Sequence, residues 1–369
     1  MTTAAELPPS SFGVEQIDSE AGMEVRRKSA DDKLIDTLRR TSIDVLGSVV
    51  PRDRPIALLD FPRYSNIGDS AIWLGETNCL AALGVPRDHV RYMCDVATYS
   101  EAGLRRSIGE SGVILLHGGG NFGDLWTAHQ QFRETVIGAF PNNQIVVLPQ
   151  SIHFIEPSAL DTAADAFNRH GNLTVLVRDQ PSLDVLQERF TTRNMLCPDL
   201  AFCIGKLDRP VQADQDIVYL ARVDQESQFS ADTGPDADVA PVDWPDVANV
   251  RAWRFGNAFA EFQTNHPVLA RTLRVPIQKV VRSSYNAMAT ERVTRGSVLL
   301  ARGRVVVTDR LHAHILALLM GIPHVVLDNN YGKIRRFHDA WTSESVLTMF
   351  AESIEEAFDL ADGMLRDCC

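Results

Sequence analysis

The sequence lacks several features that would assign it quickly to a class. Its 369 residues contain no run of about 18 or more apolar residues, so no transmembrane helix is expected. Residues 1–28 lack a basic start followed by an apolar segment, so no signal peptide is evident and a cytoplasmic location is expected. None of the six cysteines forms a CxxC pair, which argues against a zinc site and favours free thiols in a reducing compartment.

An excess of basic residues is also missing. The chain has 36 Lys and Arg against 48 Asp and Glu, a formal net charge of −12. Because sequence-independent binding to nucleic acid needs clustered cations, no nucleic-acid partner is expected. A small anionic ligand held by a few local cations is still compatible with this charge.

The length predicts two domains, preceded by an arm without periodic apolar residues at positions 1–30. An amphipathic helix is expected over 31–49. The predicted domains are 31–205 and 206–345, and a candidate linker lies at 198–216. A helical region at 346–369 could cross back to the first domain. Strand-like runs alternate with helical segments, which predicts parallel, helix-covered sheets. The predicted strands are 56–60, 90–93, 112–117, 144–149, 173–178, 217–222, 304–308 and 324–327.

A glycine-rich segment follows the third of these strands. Gly118, Gly119 and Gly120 could let backbone N–H groups approach an oxyanion, although a tight strand-to-helix turn is the other interpretation. The spacing matches neither GxGxxG nor a Walker loop. Asn121 follows directly, and its short polar side chain suits a sugar hydroxyl.

The loop after the first strand, Asn66-Ile-Gly-Asp-Ser70, should open at the same sheet edge. Asn66 and Asp69 could hydrogen-bond sugar hydroxyls, whereas Asp69 or Ser70 could instead cap the following helix. The two roles are compatible.

Cations follow the later strands. Arg178 and Arg222 each end a strand-like run, where an Arg can clamp a carboxylate or phosphate, although a structural ion pair is the commoner explanation for a lone Arg. Arg310 and His312 lie where a strand gives way to an apolar helix, a position that binds anions in parallel sheets. Lys333 belongs to a basic turn after the final predicted strand, and such a cluster would attract an anion locally.

Two histidines share that apolar helix. His312 and His314 are two residues apart and therefore point to different faces, which argues against a shared metal ion. We expect His312 to face the cleft and His314 to be structural.

These motifs, in this order, resemble the polysaccharide pyruvyl transferase family over roughly residues 55–345. The blocks that carry the resemblance are Asn66-Ile-Gly-Asp69, His117-Gly-Gly-Gly-Asn121, Leu148-Pro-Gln-Ser151, Arg178-Asp179, Leu220-Ala-Arg222, Thr308-Asp-Arg-Leu-His-Ala-His314 and Gly321-Ile-Pro323.

The resemblance implies an α/β, glycosyltransferase-B-like fold, with two Rossmann-like domains whose parallel sheets face a central cleft. It implies phosphoenolpyruvate as co-substrate and a pyruvate ketal on two hydroxyls of one sugar, made for a cell-surface polysaccharide or glycolipid. A saccharide acceptor, which could be lipid-linked and approached through peripheral membrane contact, would bind the first domain. The residues expected to contact it are Asn66, Gly68, Gly118, Gly119, Gly120 and Asn121. No cofactor and no metal are implied.

The resemblance also implies roles for single residues. Arg310, Leu311, Arg222, Lys333 and Arg178 would bind the donor. His312 would be the catalytic acid, since an imidazole titrates near neutrality, and Asp69 could deprotonate the attacking hydroxyl. The other functions considered are a nucleotide-sugar glycosyltransferase of the same architecture and a non-catalytic saccharide-binding module.

Overall fold

Two parallel β-sheets form the framework of the protein. The computed structural model describes residues 20–222, 239–245, 258, 261–262 and 266–367. The first sheet is built from β1 (Ile56–Leu59), β2 (Val90–Cys94), β3 (Val113–Leu116), β4 (Gly119–Gly123), β5 (Gln144–His153), β6 (Leu173–Val177) and β7 (Arg193–Leu196). The second is built from β8 (Gln215–Leu220), β9 (Gly303–Thr308), β10 (His324–Leu327) and β11 (Thr348–Ala351).

Strand order places the loops that matter at neighbouring positions. The first sheet runs β2-β1-β3-β5-β6-β7, with β4 paired to β5, and the second runs β11-β10-β9-β8. All these pairs are parallel, so successive strand ends meet at one edge of each sheet. Strands such as β1 (Ile-Ala-Leu-Leu) and β3 (Val-Ile-Leu-Leu) are buried throughout, as expected for a sheet covered on both faces.

The helices connect and cover these strands. They are α1 (Glu20–Gly47), α2 (Ile67–Ala82), α3 (Glu101–Ile108), α4 (Thr127–Ala139), α5 (Pro157–Asn168), α6 (Gln180–Arg189), α7 (Pro267–Ala301), α8 (Leu311–Met320), α9 (Lys333–Phe337) and α10 (Ile354–Asp367). A 3₁₀ helix covers Leu200–Ile204 and a π-helical turn covers His338–Thr342.

Helix α7 joins the two sheets, although the sequence places it between two strands of the second. Val281 and Tyr285 belong to the hydrophobic core of the first sheet, whereas Val293 and Leu300 belong to that of the second. Polar contacts add to this packing, since the side chain of Gln278 accepts a hydrogen bond of 2.9 Å from the backbone N–H of Met93. Helix α7, which lies within the predicted second domain 206–345, thus contributes to both hydrophobic cores, and the limits of that domain stay a prediction.

The C-terminal helix differs from its prediction. The Ala357 and Phe358 side chains of α10 pack against β9 and β10 of the second sheet, in one core with Val305 and Val325. Helix α10 therefore packs on the second sheet, and the helix that links the two hydrophobic cores is α7.

Several predicted limits also need correction. Residues 20–30, predicted as part of a mobile arm, belong to helix α1, while 1–19 lie outside the described residues. The candidate linker 198–216 begins with the buried 3₁₀ helix Leu200–Ile204. Three strands were not predicted. β7 and β11 are short and partly polar, and β4 is mostly glycine.

Candidate active site

A cavity of about 640 Å³ is lined by residues that follow strands of both sheets. From the first sheet come Tyr64, Ser65, Asn66, Asp69, Gly120, Asn121, Leu125, Trp126, Thr127, Ala128 and His129. From the second come Arg222, Asp243, Trp244, Arg310, Leu311, His312 and Lys333. We call these two sets the first wall and the second wall. Most of the predicted site residues therefore lie around one space.

His312 lies in the first turn of α8, where unpaired backbone N–H groups favour an anion. Its Nε2 is 3.4 Å from Oδ2 of Asp199, and the side chains of His312 and Asp199 are 12% and 1% exposed. Burial would raise the pKa of Asp199, but the charges of His312 and Arg178 and the N–H of Ala201 hold it well below its usual range. Asp199 thus stays ionised behind His312 and orients the ring.

Arg178 lies behind the cavity and does not line it. Its guanidinium pairs with Asp199, and its Nε donates a hydrogen bond of 2.9 Å to Oγ of Ser151. The side chain is fully buried, and its backbone oxygen accepts a bond of 2.8 Å from Nε1 of Trp341. Arg178 therefore supports Asp199 through Nη1, whereas its Nη2 would lie 3.2 Å from a Cβ at Gly120. Its predicted contact with the donor stays a prediction.

The second wall carries three cations. Arg310 pairs with Asp243, with Nη2 at 2.5 Å from Oδ1 and 2.7 Å from Oδ2. The backbone N–H of Arg222 donates a bond of 2.8 Å to Oδ1 of Asp309, which fixes the end of β8 against the end of β9. Lys333 is mostly buried, and its amine lies against Gly120 of the first wall.

Asp309 is a positioning residue in this structure. Burial raises its pKa to about 6, although the N–H and charge of Arg222 and the charge of Arg310 act in the opposite direction. Its carboxylate is 2% exposed and does not line the cavity. Its Oδ1 fixes the backbone N–H of Arg222, one of the cations of the second wall.

The glycines have steric roles that the sequence did not reveal. A Cβ at Gly68 would lie 2.7 Å from Cγ of His312, and one at Gly120 would lie 3.0 Å from Cε of Lys333. Each glycine therefore gives room to a side chain from the opposite wall. Gly68, predicted to bind the acceptor, does not line the cavity.

The predicted glycine cradle is not formed as expected. Gly118 donates its N–H to Oε1 of Glu76 at 2.9 Å, so that group is already used within the protein. Gly119 has φ of +127° and begins β4, which pairs with β5. The segment is a short strand and not the strand-to-helix turn. Of these three glycines only Gly120 lines the cavity, and its predicted contact with a ligand stays a prediction.

The polar residues of the first wall are partly used by the fold. Asn66 caps α2, and its Oδ1 accepts bonds of 2.8 Å from Gly68 N and 3.3 Å from Asp69 N. The expected cap by Asp69 or Ser70 is therefore wrong. Asp69 instead accepts a bond of 2.8 Å from the hydroxyl of Tyr64 at the cavity surface.

Asn121 lies on the first wall but is tied to its neighbours. Its Oδ1 accepts hydrogen bonds from Arg133 at 2.6 Å and from Gln150 at 3.1 Å. The residue is 7% exposed, so the fold uses most of its hydrogen-bonding capacity. Its predicted contact with an acceptor stays a prediction.

Sequence reasoning missed two pairs of histidine and carboxylate near the first wall. His129 contacts Asp60 through Nδ1 at 2.9 to 3.0 Å, and His117 contacts both oxygens of Glu76 at 2.9 Å. Burial alone would lower the pKa of His117, but the charge and hydrogen bond of Glu76 raise it to about 9. The partners are 69 and 41 residues apart, and no local pattern links them.

The described residues offer no obvious metal site. Within ranges 20–222, 239–245 and 266–367, no cluster of three or more His, Cys, Asp or Glu side chains could hold a metal ion. In the same part of the chain, no helix combines the length and apolar character needed to cross a membrane.

Comparisons with known proteins relate this site to a family. A model described as "Polysaccharide pyruvyl transferase" matches residues 66–331. A Schizosaccharomyces pombe protein named "Pyruvyl transferase 1" is 32% identical over 83% of this chain and 75% of its own length. A Bacillus subtilis protein named "Putative pyruvyl transferase EpsO" is 30% identical over 80% of this chain and 88% of its own.

A solved structure shares the fold. A functionally uncharacterized protein from Klebsiella pneumoniae superposes with a TM-score of 0.54 and 17% sequence identity. The match covers 86% of this chain and 99% of that one. It supports a Rossmann-like α/β architecture.

Proposed function

This chain belongs to the polysaccharide pyruvyl transferase family, and on that premise we propose that it transfers the pyruvyl group of phosphoenolpyruvate to a saccharide. The product is a ketal that bridges two hydroxyls of one sugar. In this proposal the second sheet binds the donor and the first sheet binds the acceptor, in the manner of a glycosyltransferase-B-like enzyme.

The observation that carries the proposal is the composition of the second wall. Arg310, Arg222 and Lys333 face one cavity together with His312, in a chain whose net charge is −12. Phosphoenolpyruvate bears a carboxylate and a phosphate on one small carbon frame, so a compact group of fixed cations suits it. The N-terminus of α8 adds backbone N–H groups at the same place.

The residues can be arranged along a reaction path. His312 protonates the methylene carbon of phosphoenolpyruvate, and the central carbon gains oxocarbenium character. A sugar hydroxyl attacks that carbon, phosphate departs, and the second hydroxyl closes the ketal. The cations of the second wall stabilise the departing phosphate, while Asp199 holds the ring of His312. No step needs a metal ion.

The experiment combines binding and turnover. Because a ligand stabilises the state that it binds, phosphoenolpyruvate should raise the melting temperature of the wild-type protein, and Arg310→Ala should remove that rise. Incubation with phosphoenolpyruvate and a panel of p-nitrophenyl hexopyranosides should release phosphate and give an acid-labile ketal, detected by mass spectrometry.

Other outcomes would select a different function. Stabilisation by uridine diphosphate, without any response to phosphoenolpyruvate, would indicate a nucleotide-sugar glycosyltransferase. Binding of a saccharide without phosphate release or ketal formation, for every acceptor in the panel, would indicate a non-catalytic binding module.

A further inference from the structure

The end of β1 holds an unusual residue beside the cavity. Asp60 has φ of +71°, and it is the single non-glycine residue with a positive φ in the described part of the chain. A left-handed backbone conformation is unfavourable for residues other than glycine, and such residues concentrate at functional sites. The Asp60 side chain is 4% exposed, so its carboxylate is held inside the first wall.

That carboxylate is directed at one nitrogen of a cavity histidine. Both oxygens of Asp60 lie within 3.0 Å of Nδ1 of His129, in the first turn of α4. The His129 side chain is 17% exposed and lines the cavity. When the Nδ1–H of an imidazole donates a hydrogen bond to a carboxylate, Nε2 is the nitrogen that can accept a proton.

The loop between Asp60 and α2 is held in place from outside the first sheet. Arg292 of α7 donates hydrogen bonds to the backbone oxygens of Pro62 at 2.7 Å and Arg63 at 3.0 Å. The Tyr64 ring that follows packs edge-on against His129, with 5.6 Å between ring centroids. The histidine is therefore positioned by a carboxylate, by an aromatic ring and by a loop that is itself held in place.

We propose that His129, oriented by Asp60, is the base that removes the proton from the attacking acceptor hydroxyl. The inference rests on the proposed pyruvyl transfer. His312 gives a proton to the methylene carbon of phosphoenolpyruvate while the hydroxyl oxygen bonds to the central carbon and its proton passes to Nε2 of His129. The bond from that carbon to the phosphate oxygen then breaks, the second hydroxyl forms the ketal, and its proton leaves with the phosphate. Exchange with water returns a proton to His312 and removes one from His129.

Two other groups on this side of the molecule suit the task less well. Asp69 already accepts the hydrogen bond of Tyr64, and a carboxylate is a weaker proton acceptor at neutral pH than an imidazole. The side chains of His117 and Glu76 are each 1% exposed, and neither lines the cavity. In this assignment Asp69 orients the acceptor and His129 takes the proton.

The test separates chemistry from binding. His129→Ala should lower kcat by about 10²- to 10⁴-fold, the usual contribution of a positioned base. The rise in melting temperature caused by phosphoenolpyruvate should not change, because the donor lies on the other wall. Imidazole added to the His129→Ala enzyme should restore part of kcat, since it can occupy the vacated space and accept the proton.

Matched variants complete the experiment. Asp60→Asn keeps a residue that tolerates positive φ but removes the charge, so kcat should fall with an unchanged KM for phosphoenolpyruvate. His89→Gln alters a histidine outside the cavity, whose Nδ1 contacts the backbone oxygen of Arg52, and should leave kcat unchanged.

Three outcomes overturn the assignment. An unchanged kcat in His129→Ala, or a lowered kcat that imidazole does not restore, rejects His129 as the base while pyruvyl transfer by the wild-type enzyme stands. A loss of kcat in Asp69→Asn that equals the loss in His129→Ala, with no response of the latter to imidazole, gives the role to Asp69. Failure of the wild-type enzyme to form any ketal rejects the proposed function and the inference with it.

Discussion

The two walls of the cavity differ in charge although they belong to similar parallel sheets. The second wall presents Arg310, Arg222 and Lys333, whereas the first presents Asp69 and a histidine held by Asp60. In the proposed reaction the doubly anionic donor suits the cationic wall, and a neutral sugar suits the wall with hydrogen-bond acceptors and a histidine. The difference shows that two sheets of the same kind can present different chemistry when the loops after their strands differ.

The buried histidines behind the walls show the same contrast. On the first side, Glu76 raises the pKa of His117 to about 9. On the second side, burial and the neighbouring His338 lower the pKa of His324 to about 4, although the backbone oxygen of Ile322 acts to raise it. Burial and the neighbouring histidines lower the pKa of His314 well below its usual range. One residue type is thus charged in one core and neutral in the other, because the partners differ.

The largest effect is expected at His312, the proposed acid of the second wall. His312→Gln should lower turnover by about 10²- to 10⁴-fold, because the proposed general acid is lost while the cations stay. Phosphate release measures turnover, and stabilisation by phosphoenolpyruvate should persist. His338→Gln is the control, since His338 also lies in the second half but outside the cavity. Full turnover in His312→Gln would exclude it as the acid.

A second change should disturb the fit between the walls. Gly68→Ala places a Cβ against the ring of His312 and should move the ring from Asp199, with a loss of turnover of about 10²-fold for a shift near 1 Å. Gly138→Ala is the matched control, because its Cβ would meet no atom within 4 Å. Equal kinetics in the two variants would show that the close approach of the walls does not position His312.

The stability that the charged pair of His117 and Glu76 contributes should decrease at alkaline pH. The pKa of His117 is about 9 in the folded protein and near 6.5 when unfolded, so its pair with Glu76 stabilises fully below about pH 6.5. That stability is lost as pH rises through about 9. Urea unfolding across this range should give a falling free energy of unfolding, and Glu76→Gln should flatten the curve. A wild-type curve without this decrease would contradict the charged pair.

The stability that the neutral, buried His324 contributes should decrease in acid. We expect this effect to be smaller, because carboxylates also titrate below about pH 5. The pKa of His324 is depressed to about 4, so its neutral form stabilises above about pH 6.5 and the unfolded chain takes up the proton first as pH falls. The melting temperature should therefore decrease between about pH 6.5 and 5. His324→Asn should lessen that decrease, and an identical decrease would assign it to other groups.

Local pattern predicted much of the fold. The continuous apolar runs that became β1, β3, β9 and β10 are long enough to need burial on both faces, whatever surrounds them. The passage from β9 into α8 likewise fixed Arg310 and His312 at the start of a helix. Strand β4 could not be predicted in this way, since Gly119–Gly123 pairs with β5 and has a single apolar side chain, that of Phe122.

The sequence by itself determined the alternation of strands and helices, the family motifs and the cations that follow the strands of the second sheet, because each depends on residues close together in the chain. Only the tertiary structure decided that α7 joins the two sheets, that Asp199 lies behind His312 and that Asp60 holds His129. These contacts join residues far apart in sequence. The charge state of each buried histidine follows from them, since burial and the nearest charge, not the residue type, set its pKa.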